Sequence, residues 1–192
     1  MARREFHSPD ELGAWLVASG IDVSHWGGGG SKTLDDLWRE YLGGESTFDD
    51  DPPSRWVEVA QLIIKRGDAT LIELEQVFAD GRRRTRMRPP SEKLLRGENP
   101  RAAALRCLQE ELGLSAAGVA IEDNHETIEE TADSPSYPGL PTRYLFQILE
   151  VTVTGLPDGD FYRENSAPGD PIRRHLWGWR TDQESTDFTD KE

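Results

Sequence analysis

The stretch "GENPRAAALRCLQEELGL", residues 97–114, decides how the rest of the chain is read. Pro100 suits the first turn of a helix and Gly113 suits its end, so a helix is expected from about Pro100 to Leu112. On a wheel of about 100° per residue, Leu105, Leu108 and Leu112 cluster on one side. Glu110, Glu111, Cys107 and Ala103 cluster on the other, with Arg106 one turn before Glu110. The leucines are expected to bury against a sheet, and the two carboxylates to face away together. Glu98 precedes the helix, where the unpaired N–H groups of the first turn favour a negative charge.

Two readings of that face stand side by side. One is a solvated surface with an Arg106–Glu110 pair at i,i+4 spacing. The other is a hard-cation site, because adjacent carboxylates repel and a divalent ion such as Mg²⁺ relieves the repulsion.

Outward from this helix, the chain reads as strands. "WVEVAQLIIKRG" and "ATLIELEQVFADG" flank a turn at Gly67-Asp68. "RRRTRMR" follows a second turn at Gly81 and leads into the loop "PPSEKLLRGENP". After the helix come a strand near Val119 to Ile128, the loop "EETADSPSYPGLP", the strand "TRYLFQILEVTV", a long loop and the final strand "IRRHLWGWR". Strands interleaved with one well-marked helix predict an α/β fold with a mixed sheet covered by helices.

In front lie two short helices. "SPDELGAWLVAS" has Ser8 as N-cap and Pro9 in the first turn. Residues from about Thr33 to Leu42 carry an apolar stripe of Leu34, Leu37, Trp38 and Tyr41. "ESTFDDDPPS" reads as an irregular linker. The predicted organisation is a helical N-terminal extension and linker over 1–52, a main domain over 53–182 and an acidic, patternless tail over 183–192. Trp15, Trp26 and Trp38 are costly to expose, so the front piece is expected to pack on the body or on a second subunit.

The formal net charge of −14 disfavours nucleic acid and anionic membranes as partners. No apolar run approaches the ~20 residues of a membrane span. The N-terminus has no apolar signal region and the one cysteine excludes an intrachain disulfide, so a cytoplasmic location is expected.

The segment from Glu98 to Leu114 resembles the Nudix box, G-x5-E-x7-R-E-U-x-E-E-x-G-U, where U is a bulky aliphatic residue. Glu98, Arg106, Leu108, Glu110, Glu111, Gly113 and Leu114 match. Glu92 stands where the box has its first glycine, and Cys107 where it has the glutamate after the arginine. The resemblance implies a Nudix-like α/β/α sandwich. It also implies a hydrolase that uses Mg²⁺ or Mn²⁺ to cleave a nucleoside diphosphate linked to another moiety. Glu98, Glu110 and Glu111 would be metal ligands, and Arg106 would orient a neighbouring carboxylate. Dimers are common in the family, so a homodimer is within what the resemblance implies.

Cys107 is a poor Mg²⁺ ligand and, flanked by carboxylates, a poor base, so it reads as a small filler. A replacement base is sought elsewhere: Glu164 in "FYRENSAPGDP" first, Glu129 and Glu130 second, and Glu92 as a further acid near the metal. Arg82, Arg84, Arg86 and Arg88 alternate along a strand and form either a phosphate-binding wall or internal pairs. Tyr137 and Tyr144 are candidates for stacking on a base, and Arg143 for reaching a phosphate. Trp177 and Trp179 share a face and read as core; His7, His25, His125 and His175 read as ordinary residues. The rival to an enzyme is a degenerate domain that binds a nucleotide or phosphorylated metabolite without cleaving it. A third reading is an interaction domain that docks through its front helices.

Overall fold

The computed structural model of the chain describes residues 3–181. The expected tail at 183–192 lies outside the described residues, as do the side chains of residues 123–125, His125 among them. The architecture is α/β with a large mixed sheet and few helices. The chain forms two compact units, each assembled from three stretches. Unit 1 comprises residues 3–59, 93–98 and 127–146, and unit 2 comprises 60–92, 99–126 and 147–181 among the described residues.

Unit 1 begins with α1 (Pro9–Ala18) and α2 (Leu34–Gly43). The Ser8 cap forms as expected, with Ser8 Oγ accepting the Glu11 N–H. At α2, Thr33 and Asp36 make a reciprocal capping box that the sequence reading did not name. Leu12, Leu16, Leu37, Phe6 and Phe48 bury together with Tyr137 and Leu140, so the front helices share a core with the proline-bearing segment near 137. The expected linker is not irregular. It contains β1 (Thr47–Asp50), which pairs antiparallel with the start of β2 (Pro53–Arg66). The acids and prolines hid a strand whose one large apolar residue, Phe48, is fully buried.

Unit 2 holds the second half of β2, then β3 (Ala69–Phe78), β4 (Arg83–Arg88) and most of β5 (Ser91–Lys93). Helix α3 (Pro100–Leu112) follows, then β6 (Val119–Asp133), β7 (Pro141–Val153), β8 (Phe161–Glu164) and β9 (Ile172–Thr181). Strands β2, β6 and β7 run through both units. The strands are hydrogen-bonded in the order β6-β7-β2-β3-β9-β8, with β4 on β3 and with β1 and β5 on β2. The β2–β3 turn places Gly67 at φ 58°, a left-handed backbone that glycine adopts at no steric cost.

One irregularity interrupts the ladder between β3 and β4. Glu75 faces Thr85, but Glu73 faces Arg88. Two steps on β3 therefore match three on β4, and Met87 sits at φ 51° within the extra residue. The expected row of four arginines on one face ends here, because the bulge puts Arg88 out of phase with Arg84 and Arg86. No described helix is long and apolar enough to cross a membrane.

Candidate active site

Helix α3 is built as its sequence dictates. Asn99 Oδ1 accepts the Ala102 N–H at 2.9 Å, Pro100 occupies the first turn, and Gly113 closes the helix at φ 67°. Its buried residues differ from the expected leucine stripe. They are Ala103, Ala104, Cys107, Leu108 and Leu112, while Leu105 is only half-buried. These positions make one continuous arc on the helical wheel, and Glu111 falls in its middle, between Cys107 and Ala104. The two carboxylates therefore do not face away together. Glu110 lies outside the arc and Glu111 lies within it. Small side chains let this face approach the protein closely, which a search for large apolar residues misses.

That placement is electrostatically costly. Burial and the nearby charges of Glu73, Glu92 and Asp170 push the Glu111 carboxyl well above its ordinary range, with Arg86 acting in the opposite sense. Burial also pushes the Cys107 thiol well up, and Glu111, Glu92 and Glu73 add to it. Cys107 is thus a neutral, fully buried filler, as read from sequence.

Glu73, on β3, is the residue that sequence reading missed. It is buried, and its two carboxylate oxygens meet different partners. Arg86 Nε donates to Oε2 at 3.2 Å, and His175 Nδ1 lies 2.5 Å from Oε1. His175, expected to be ordinary, is fully buried on β9, and its Nε2 has no hydrogen-bond partner. The available signal was a carboxylate inside the apolar run "TLIELEQVF".

The other box residues are held from nearby. Arg106 Nη1 lies 3.1 Å from Glu92 Oε1, so the arginine reaches the acid that replaces the box glycine. Ser166 N–H donates to the Glu110 carbonyl at 2.9 Å, which ties the segment after β8 to the last turn of α3. Glu164 is at the end of β8, not in a loop, and its exposed carboxylate lies 3.8 Å from Arg173 Nε.

Several predicted site residues are placed elsewhere. Glu98 belongs to unit 1, where its carboxylate accepts the Leu95 N–H at 2.9 Å. Arg84 donates to Gln76 and Arg86 to Glu73, while Arg82 and Arg83 pair with Asp80 and Glu75. The phosphate wall is therefore largely an internal pairing ladder, and of the proposed substrate arginines Arg84 and Arg88 are exposed. Tyr137 cannot stack on a base. It is fully buried in the unit 1 core, with Trp26 at 5.2 Å and the Arg55 guanidinium at 4.9 Å from its ring. Arg143 lies over Trp56 at 5.2 Å and 3.8 Å from Glu129. Tyr144 stacks on Phe146. Trp177 is core, whereas Trp179 is half-buried under Arg66.

Carboxylate oxygens are the donors a hard cation prefers, and the repulsion around Glu111 gives it reason to accept one. The donor chemistry thus fits Mg²⁺ or Mn²⁺. The assembled geometry does not. Among the described residues, no three His, Cys, Asp or Glu side chains converge as ligands, so the expected Glu98, Glu110 and Glu111 set is not formed.

Solved Nudix hydrolases are similar to this chain. An Ap4A hydrolase from C. elegans, in a binary complex, is 20% identical over 70% of this chain and 86% of its own, with a TM-score of 0.40. A Nudix hydrolase from Nitrosomonas europaea is 16% identical over 70% of this chain and 78% of its own, with a TM-score of 0.45. Likeness at this level carries no argument about activity. No family model matches the chain. No curated protein matches it either.

Proposed function

We propose that this chain is a metal-dependent hydrolase of the Nudix type. Its reaction is cleavage of a pyrophosphate bond in a nucleoside diphosphate-linked or related phosphorylated small molecule. The observation that carries the reading is the place of Glu111, a box carboxylate in the middle of the arc that α3 turns to the protein, where burial first and then Glu73, Glu92 and Asp170 push its carboxyl above the ordinary range.

A bound Mg²⁺ or Mn²⁺ supplies charge for phosphate oxygens and a more acidic water. The chain's own residues do the rest. Of the box acids, Glu110 and Glu111 of unit 2 are the ones that would hold the cation. Arg106 fixes Glu92, and Arg86 fixes Glu73, so neither acid swings freely. Arg88 is an exposed cation of β4 that would meet a phosphate. Glu164, on the segment tied to α3 through Ser166, takes the proton of the attacking water as the phosphorus–oxygen bond of the anhydride breaks.

A second reading is a domain that binds the same class of ligand without cleaving it. Cys107 favours it, because a neutral buried thiol replaces a box carboxylate. Phosphate or pyrophosphate release across a panel of nucleotide sugars, dinucleotides and nucleoside triphosphates separates the two. Turnover that needs Mg²⁺ or Mn²⁺ and is lost in Glu111→Gln supports the enzyme. Metal-dependent ligand binding without turnover supports the binding domain.

A further inference from the structure

We propose that unit 1 holds a binding site for a flat, uncharged heterocycle of the purine type, built on Trp56. The inference goes beyond the hydrolase reading and does not depend on it. A cavity of about 260 Å³ opens in unit 1 among Arg3, Gly44, Trp56, Glu58 and Arg96. Trp56 and Glu58 share a face of β2 by the two-residue period of a strand, while Arg55, Val57 and Val59 bury on the other. Pockets for drug-sized ligands run to about 300–1,000 Å³, so this one suits a single ring system and not a whole nucleotide.

The lining selects the ligand. Trp56 brings an aromatic ring, with the Arg3 guanidinium 4.4 Å and the Arg143 guanidinium 5.2 Å from its centre. Its indole Nε1–H is buried and has no acceptor among the described residues. A buried indole N–H ordinarily has one, and a ligand seated against Trp56 supplies it. Glu58 and Arg96 are both exposed, so the rim offers a carboxylate and a guanidinium together. A bare phosphate would meet Glu45, Glu58 and Glu98 along this lining, and a bare cation would meet Arg3 and Arg96. A neutral flat ring escapes both repulsions. It stacks on the indole, accepts from Trp56 Nε1 and Arg96, and donates from an amino group to Glu58. The front of the chain shapes the site. Gly44 caps α2 at φ 83°, and a Cβ there would come within 2.7 Å of the Arg96 backbone N. The helix end therefore lies hard against the segment that carries Arg96, and Arg3 arrives from the chain before α1. The front helices, for which the sequence named no role, thereby share in the site.

The test is equilibrium dialysis of the full chain with adenosine and guanosine, probes that carry no phosphate, in buffer without divalent cations. Wild type is expected to bind at least one of them. Trp56→Leu is expected to lose roughly tenfold in affinity, the scale of one stacked base. Glu58→Gln is expected to weaken binding and to shift the preference between the two nucleosides. Should Trp56→Leu fail to fold, Trp56→Phe carries the comparison, since it keeps a ring and removes the N–H; its affinity is expected between the two. Absence of nucleoside binding in the wild type overturns the proposal, as does wild-type affinity in both the Trp56 and the Glu58 variants. Displacement of the nucleoside by inorganic phosphate reveals an anion site and also overturns it. Neither metal nor turnover enters the measurement, so the hydrolase reading stands or falls separately. Where the protein turns over a nucleotide, competitive inhibition by the nucleoside assigns the site to the substrate's own base, and non-competitive inhibition to a separate effector.

Discussion

Arg106 reaches out of the helix to Glu92, with Nη1 3.1 Å from Oε1. The arginine of the box and the acid that replaces its glycine are therefore one device. Both are only partly exposed. Arg106→Met removes the positive partner while keeping much of the packing. The expected cost is about 1–2 kcal/mol of stability by urea denaturation, with weaker metal affinity because Glu92 loses its tether.

Glu111 gives a pH signature. Its folded carboxyl titrates well above the ordinary value of 4.5, so the folded protein holds a proton that the unfolded chain has released. Its contribution to stability is fully present below about pH 4.5 and is lost as pH rises through the folded value. Glu111→Gln is expected to melt higher than wild type at pH 7 to 8 without divalent cations. The difference should shrink as pH falls toward 4.5. Added Mg²⁺ should stabilise wild type more than the variant.

In unit 1 the sign is reversed. Burial pushes Glu40 up, but Lys93, Arg55 and Lys32 outweigh it and hold the carboxyl at about 2, below the usual 4.5. Lys32 Nζ is 2.6 Å and Lys93 Nζ 3.0 Å from Oε1, and Arg55 holds Oε2. The shift is worth about 3 kcal/mol, present above pH 4.5 and lost as pH falls toward 2. Arg55→Met should leave Glu40 with uncompensated burial and cost ~3–5 kcal/mol at pH 7, read by guanidinium denaturation.

Cys107 should be silent in the native protein. A fully buried thiol whose ionisation is suppressed does not react with an aromatic disulfide reagent. One equivalent should appear only on unfolding. Cys107→Ala is expected to cost roughly 1 kcal/mol and to leave turnover near wild type, since it removes no charge.

Much of the frame was legible because its signals are local. Ser8 starts a helix by accepting a backbone N–H three residues away, Pro9 suits its first turn, and Gly67, Gly81 and Gly113 close turns that need a left-handed backbone. What escaped was set by distant partners. Glu73 meets His175 across 102 positions of sequence, so the apolar run around it marks the acid but not its partner. Phe48 makes a strand of an acidic stretch because Trp56 and Arg55 lie opposite. The buried face of α3 was misjudged because alanines and a cysteine, not leucines, bring the helix close. Tyr137 looked like a stacking residue because prolines surround it, but the unit 1 core had claimed it.

The bulge at Met87 gives unit 2 a fixed reading frame. Upstream of it, Arg84 and Arg86 face Gln76 and Glu73; downstream, the chain resumes in the other phase and delivers Glu92 to Arg106. Substitution at 87 is restricted by the left-handed backbone, so asparagine or glycine should be accepted more readily than valine. Deletion is another matter. Losing one residue here would restore a regular ladder, with Arg88 still opposite Glu73, and would remove the local bend and extra twist of the bulge. Descendants of this chain can vary the residue at 87 far more easily than they can lose it.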